Sequence, residues 1–285
     1  MATPQVQNDP VYSLPFLYIQ GMNISYASTT IVAIAPGQCR DGSDNIDMAI
    51  GYPNLQGAVL PAIQFQNYMP GLLVNSAVVG ANGLDQGTIA ASTQYSVHVI
   101  GDSRGYNPVA GILSLTSNSA PKLPLGYDSS RLIGFVATGG SSTFVYSTSK
   151  PQNYVNALAY INQPPISVLA GGNATTFTAI DLTTGGAVPT TTLQNVVVRL
   201  LVTFIPAAAN DVVQFRPTGS SATANLRTIT GVTAGIAQSQ YLTVIAGVGA
   251  SKPEIDYLVT SASDSVSVSV VSWTGVSNTA YPALV

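Results

Sequence analysis

Charge is what this sequence has least of. Nine Lys and Arg and twelve Asp and Glu together make up 7% of its 285 residues, where an ordinary soluble domain carries about 25%. The stretch from Met48 to Leu84 holds none, and the last charged side chain is Asp264. Without a basic stripe there is nothing to neutralise a phosphate backbone, so direct nucleic-acid binding is not expected. A single cysteine, Cys39, excludes an intrachain disulfide, and a single histidine, His98, excludes a His-rich metal site. The longest apolar runs, 196–206 and 241–248, fall far short of the ~20 residues of a membrane-spanning helix. The first ten residues have neither the positive charge nor the apolar run of a signal peptide.

What remains is 46% hydrophobic and rich in Ser, Thr, Asn and Gln, with 26 Gly and 18 Pro. Apolar residues alternate with small polar ones over 29–34, 94–100, 131–137, 153–160, 174–181 and 264–273, the period-two pattern of half-buried strands. Pro-Gly, Asn-Gly and Gly-Gly pairs punctuate these runs. The pattern predicts an all-β chain of two β-sandwich or jelly-roll-like domains with mainly antiparallel strands. Short helical turns are expected at most, around 206–210 and 234–239. Pro164-Pro165 marks the expected boundary, because two consecutive prolines remove two donors and should exclude a central strand. The division is 1–163, with a polar N-terminal arm over 2–14 ordered by a partner, and 164–285.

One run makes a sharper statement. Val266, Val268 and Val270 share one face and Ser265, Ser267 and Ser269 the other, but Val271 breaks the alternation. A β-bulge at Val270-Val271 would return Trp273 to the apolar face.

Candidate chemistry is sparse. His98 lies in an alternating run with no orienting carboxylate in pattern, which reads as a structural or surface histidine. Cys39, followed by Arg40, reads as buried or inert. Asp41, Asp44 and Asp47, with Asn45 and Ser43, offer hard oxygen ligands and are the cation candidates; the EF-hand spacing fails, and turn closure by the same side chains is the favoured role. Glu254 and Asp256 flank Ile255 on one strand face beside Lys252, and read as charges protecting a solvated edge. Asp128 is placed to pair with Arg131. No catalytic residue and no cofactor site is expected.

Four segments in order carry a resemblance: Pro36-Gly-Gln-Cys-Arg-Asp41; Gly83-Leu-Asp-Gln-Gly87; Tyr95-Ser-Val-His-Val-Ile-Gly-Asp102; and Pro124-Leu-Gly-Tyr-Asp128 followed by Arg131-Leu-Ile-Gly134. Across about residues 20–145 the chain resembles tailed-bacteriophage virion structural proteins of tail-fibre-like or head-decoration-like type. The resemblance implies a non-enzymatic, β-rich particle component that assembles with other virion proteins and with copies of itself, a trimer being the leading expectation. A capsid decoration or head-fibre protein is the nearest alternative. A glycan-binding receptor module would need exposed aromatics among the 14 Tyr, since Trp273 reads as buried. A polysaccharide depolymerase would need clustered carboxylates, and Asp44 and Glu254 are the acids to test for it.

Overall fold

The computed structural model describes residues 6–7, 18–43, 45–50, 71–115, 120–145, 147–151, 157–188, 193–221, 225–248 and 252–277. The fold is all-β, and among the described residues helical structure is limited to 3-10 turns such as Thr184–Gly186. The two segments expected to turn helically do not. Asn210 (φ 72°) and Gly235 (φ 70°) take left-handed backbone, and Asp211 closes the first segment as a tight turn by accepting from the Ala208 N–H.

Two apolar cores organise the sheets. The C-terminal core is a sandwich. Its first layer is the long strands Leu193–Ile205 and Ser265–Ser277 of an eight-stranded sheet. Its second is a five-stranded sheet that includes Thr178–Asp181, Pro253–Val259 and Val212–Pro217. Val198, Leu200, Val202, Phe204, Val266, Val268 and Val270 from the first face Val213, Phe215, Ile255, Tyr257 and Val259 from the second. The N-terminal core draws Ile24, Val32, Ile34 and Val74 from the far strands of the same eight-stranded sheet. Ile19, Cys39 and Met48 come from a small four-stranded sheet, and Val97, Val99, Leu113 and Val136 from another. This last sheet, ordered Ser129–Ala137, Gln94–Gly101, Ala110–Leu115, Gly83–Leu84, includes a parallel pair, Ile112↔Gly83 and Leu113↔Leu84. Of the N-terminal arm, Val6–Gln7 pairs antiparallel with Met48 and Asp47; the rest of 2–14 lies outside the described residues.

A strand does run through the double proline, contrary to the expectation for that site. Ala157–Gly172 lies between Ser147–Pro151 and Ser265–Ser277. Its pairing with the latter jumps from Ile161↔Ser272 to Ile166↔Val270, so residues 162–165 fall where the ladder is interrupted. Prolines are tolerated there because no ladder donor is required. The eight-stranded sheet therefore takes strands from both sides of Pro164.

The same position carries the expected bulge. On the other flank of Ser265–Ser277, Arg199 pairs with Ser272 and Leu200 with Val270, leaving Val271 as the extra residue. Val266, Val268 and Val270 are buried, Val271 is half-exposed, and Trp273 is buried again. Trp273 then meets Phe135, a residue of the strand Ser129–Ala137, with ring centroids 5.6 Å apart at 58°, a favoured tilted geometry. That strand has its own register shift between Leu132 and Gly134. Ile133 and Val136 consequently serve the N-terminal core while Phe135 serves the C-terminal one.

Deleting Val271 should rotate Trp273 out of phase and cost at least the ~3–5 kcal/mol of a lost core aromatic. Val271→Ala, which keeps the extra residue, should cost well under half of that. Denaturant midpoints with the emission of this sole tryptophan check the pair; a deletion variant with the wild-type midpoint and emission maximum contradicts the assignment.

Candidate functional site

Every acidic side chain among the described residues is engaged by its own chain, most of them closing a turn or tying a loop to a strand. Asp41 is the fullest case. Fully buried, its Oδ1 accepts from the N–H groups of Asn45 (2.6 Å) and Ile46 (2.8 Å) and its Oδ2 from Ser43 N–H (3.1 Å) and Oγ (2.7 Å). Arg40 and Asp47, opposite each other in the ladder, form an ion pair at 2.9 Å. The turn-closing role expected of this loop is therefore observed for Asp41. Asp44, another cation candidate, lies outside the described residues. Among the described residues no group of three or more His, Cys, Asp or Glu is placed to hold a metal ion.

A second loop pair is built on Asp102, also without solvent exposure. Its Oδ1 accepts from Arg104 N–H (3.0 Å) and Nε (2.9 Å), and its Oδ2 from Asn107 N–H (3.2 Å) and Nδ2 (2.8 Å). The Arg104 side-chain hydrogen bond is the main reason its carboxyl is held down at about 2. Asn107 and Arg104 also donate to the Gly126 carbonyl, joining this loop to the turn that Gly126 (φ 91°) allows. Asp128 does not reach for Arg131 as expected. It accepts from the Ser103 N–H and hydroxyl and from Ser129 Oγ, and the Ser103 hydroxyl chiefly lowers its pKa. Arg131 is instead buried, within electrostatic reach of Cys39. The loop presents Tyr106, 83% exposed, with the Arg104 guanidinium 5.7 Å from its ring centre, and beside it Leu125, fully exposed.

Glu254 and Asp256 do not sit on an edge. Pro253–Val259 is an inner strand, with Thr178–Asp181 on one side and Val212–Pro217 on the other. Asp256 lies opposite Arg216 and accepts from its Nε at 3.2 Å and from Thr218 Oγ1 at 2.9 Å. Arg216 in turn lies over the Phe177 ring at 3.6 Å. Glu254 faces Lys252, which also binds Asp181. Asp256 and Asp181 are thus held in ion pairs with partners distant in sequence, Arg216 and Lys252, while Glu254 meets its near neighbour Lys252 at 3.8 Å. In the remaining loops Asp85 accepts from Ser114 Oγ (2.6 Å), and Asp264 from the Ala207 (2.7 Å) and Ser261 (2.9 Å) N–H groups.

His98 is buried in a strand covered on both faces. Its Nε2 is 3.1 Å from Ser96 Oγ, whose own proton goes to the Ser114 carbonyl. His98 must then donate from Nε2, leaving Nδ1 as a buried lone pair with no partner. Protonation would create an unsatisfied buried cation, and desolvation pushes the pKa down to about 3. An imidazole so weakly basic cannot accept the serine proton near neutrality. Of the structural and surface positions expected for it, the buried, structural one is observed. Cys39 is likewise fully buried, and burial pushes its thiol up to about 12.

No family model and no curated relative matches this sequence. Among solved structures it is similar to a Tobacco streak virus coat protein dimer, at 13% identity over 43% of this chain and 84% of that one, with a TM-score of 0.25. It is also similar to a structure of infectious bursal disease virus Gx strain, at 10% identity over 98% of this chain and 72% of the other, with a TM-score of 0.23. Likenesses this weak carry no argument, and the functional reading rests on the chain itself.

The His98 pKa sets an acid limit. Above its ordinary value of 6.5 the imidazole is neutral folded and unfolded, and stability is complete. Between 6.5 and about 3 only the unfolded chain takes the proton, so stability falls with pH by up to about 1.4 kcal/mol per unit. The depressed Asp102 carboxyl adds a further loss between 3.8 and about 2. Denaturant midpoints of wild type and His98→Gln from pH 7 to 4 should diverge, the variant losing much of the slope; parallel curves would sink the assignment.

Proposed function

We propose that this chain is a structural subunit of a virus particle, a bacteriophage tail-associated or fibre protein that works by assembling with copies of itself and with other virion proteins. The observation that carries the reading is where the charges have gone. All ten described acidic side chains are engaged by the chain's own groups. The sole histidine and the sole cysteine are buried. The surface left over is sparsely charged, with Arg104, Lys122, Arg199 and Arg227 its exposed cations among the described residues, and is hydroxyl- and amide-rich with exposed Leu125, Val232, Ile236, Tyr241 and Ile245. A sparsely charged surface of this kind gives a free monomer little electrostatic protection against association, and suits contacts formed once and kept. The phage assignment follows from the sequence resemblance over residues 20–145. A tail or fibre position, as against a head decoration, is decided by locating the subunit in a particle reconstruction.

The same account gives a solution test. Interfaces made by neutral surfaces should not be screened by salt. Light scattering should therefore give a multimeric mass in physiological salt that does not fall at 1 M NaCl. A highly soluble monomer overturns the reading, and dissociation by salt contradicts the neutral interface.

A further inference from the structure

We propose that the strand Gln238–Ile245 is an assembly edge, and that its occupant is the same strand of a second copy, paired antiparallel about a two-fold axis. The inference rests on the assembly reading above and names the surface that does the work. Gln238–Ile245 ends the eight-stranded sheet, and among the described residues no strand lies on its outer side. It pairs with Leu193–Ile205 without interruption, from Val197↔Ile245 to Phe204↔Gln238, so its outward row of backbone donors and acceptors is straight and regular.

Exposed edges are usually blunted by charge, proline, a bulge, shortness or cover, because an open one templates pairing with another chain. The other edges here show those devices. Leu72–Asn75 and Ile19–Gly21 are four and three residues long. Ser129–Ala137 carries a register shift and has Gly42 and Val145 bound to its backbone. Thr178–Asp181 ends in the Asp181–Lys252 ion pair, and Arg227–Thr230 begins with an arginine. Gln238–Ile245 has eight residues, no proline, no bulge, and lies in a charge-free stretch running from Thr228 to Ser251.

Charge is also what selects a second copy as the occupant. A strand meeting itself about a two-fold axis presents its own charges to one another, and like charges placed together cost several kcal/mol. This strand has none to present. Its outer face offers Ser239, Tyr241, Thr243 and Ile245, types that form favourable cross-strand pairs with their own kind. Tyr241 is held against the sheet by Arg199, whose guanidinium lies 4.6 Å from the ring centre. Beside the strand the loop carrying exposed Val232 and Ile236 is fixed by the Gly235 N–H donating to the Pro206 carbonyl (2.7 Å). Ile205, also exposed, extends the apolar rim.

The test is light scattering of the full chain with Gln240→Glu/Thr243→Glu. Thr243 lies opposite Arg199, so its acid finds a cross-strand partner within the fold, while two copies would confront each other with four carboxylates. The variant should keep the wild-type circular dichroism and show half the wild-type mass or less. Thr88→Glu/Thr228→Glu, with the same added charge at exposed positions elsewhere, should keep the full mass. A multimeric wild type with an edge variant of unchanged mass overturns the edge assignment and leaves the assembly reading standing; a monomeric wild type overturns both. Should the variant fail to fold, hydrogen exchange on the wild type decides. The alternate amides of 238–245 that point away from Leu193–Ile205 should slow at least tenfold from dilute to concentrated protein, and rates independent of concentration contradict the proposal.

Discussion

The rest of the structure depends on the antiparallel pairing of Ala157–Gly172 with Ser265–Ser277. These strands are 16 and 13 residues long, well beyond the usual five or six, and lie in the sheet that contributes to both cores. A straight, strictly alternating pair of that length would keep one face in one environment throughout. Here each strand breaks its period at the same level: residues 162–165 on one, Val271 on the other. The break lets Val266, Val268 and Val270 fill the sandwich and still delivers Trp273 onto Phe135 of the neighbouring sheet. Two prolines that would disrupt a continuous ladder sit where the ladder is already open.

The second constraint is the small supply of charge. Carboxylates here are anchors for turns: Asp41, Asp102 and Asp264 are each fully or almost fully buried and satisfy backbone N–H groups that a tight loop would otherwise leave without partners. Holding most of the acids in loops leaves Ala157–Gly172, Gln238–Ile245 and Ser265–Ser277 without charge, and neutral strands can be covered by other neutral strands at no desolvation cost for ions. The same placement of charge that closes the loops leaves uncharged the strands on which the proposed assembly rests.

What was legible in the sequence follows from how local each signal is. The Val271 bulge was readable because alternation and its break are both written within ten residues. The Asp41 turn was readable because its donors lie two to five residues away. The inner position of Pro253–Val259 was not, because Glu254-Ile-Asp256 looks the same on an edge as beside Arg216, forty residues earlier. Asp128 and Arg131 illustrate the same limit: proximity in sequence suggested a pair, while Ser103 lay closer in space. His98 was readable as a structural or a surface residue, but its burial on a face shared with Ser96 depends on a sheet sandwiched between two cores, which alternation alone cannot reveal. The neutral edge at Gln238–Ile245 shows in the sequence only as missing charge; that it is an edge is a property of topology.

The central claim is that one continuous sheet binds the two cores into a single body. The chain supplies one unique probe for each: Cys39 in the N-terminal core and Trp273 in the C-terminal one. The direct measurement is denaturant unfolding followed by Trp273 emission and, in parallel, by exposure of the Cys39 thiol to a reagent that its burial otherwise refuses. Coincident transitions, with one midpoint and one slope, are the expected result. A thiol exposed at a clearly different denaturant concentration from the tryptophan would mean that the two cores unfold apart, and that the shared sheet does not join them.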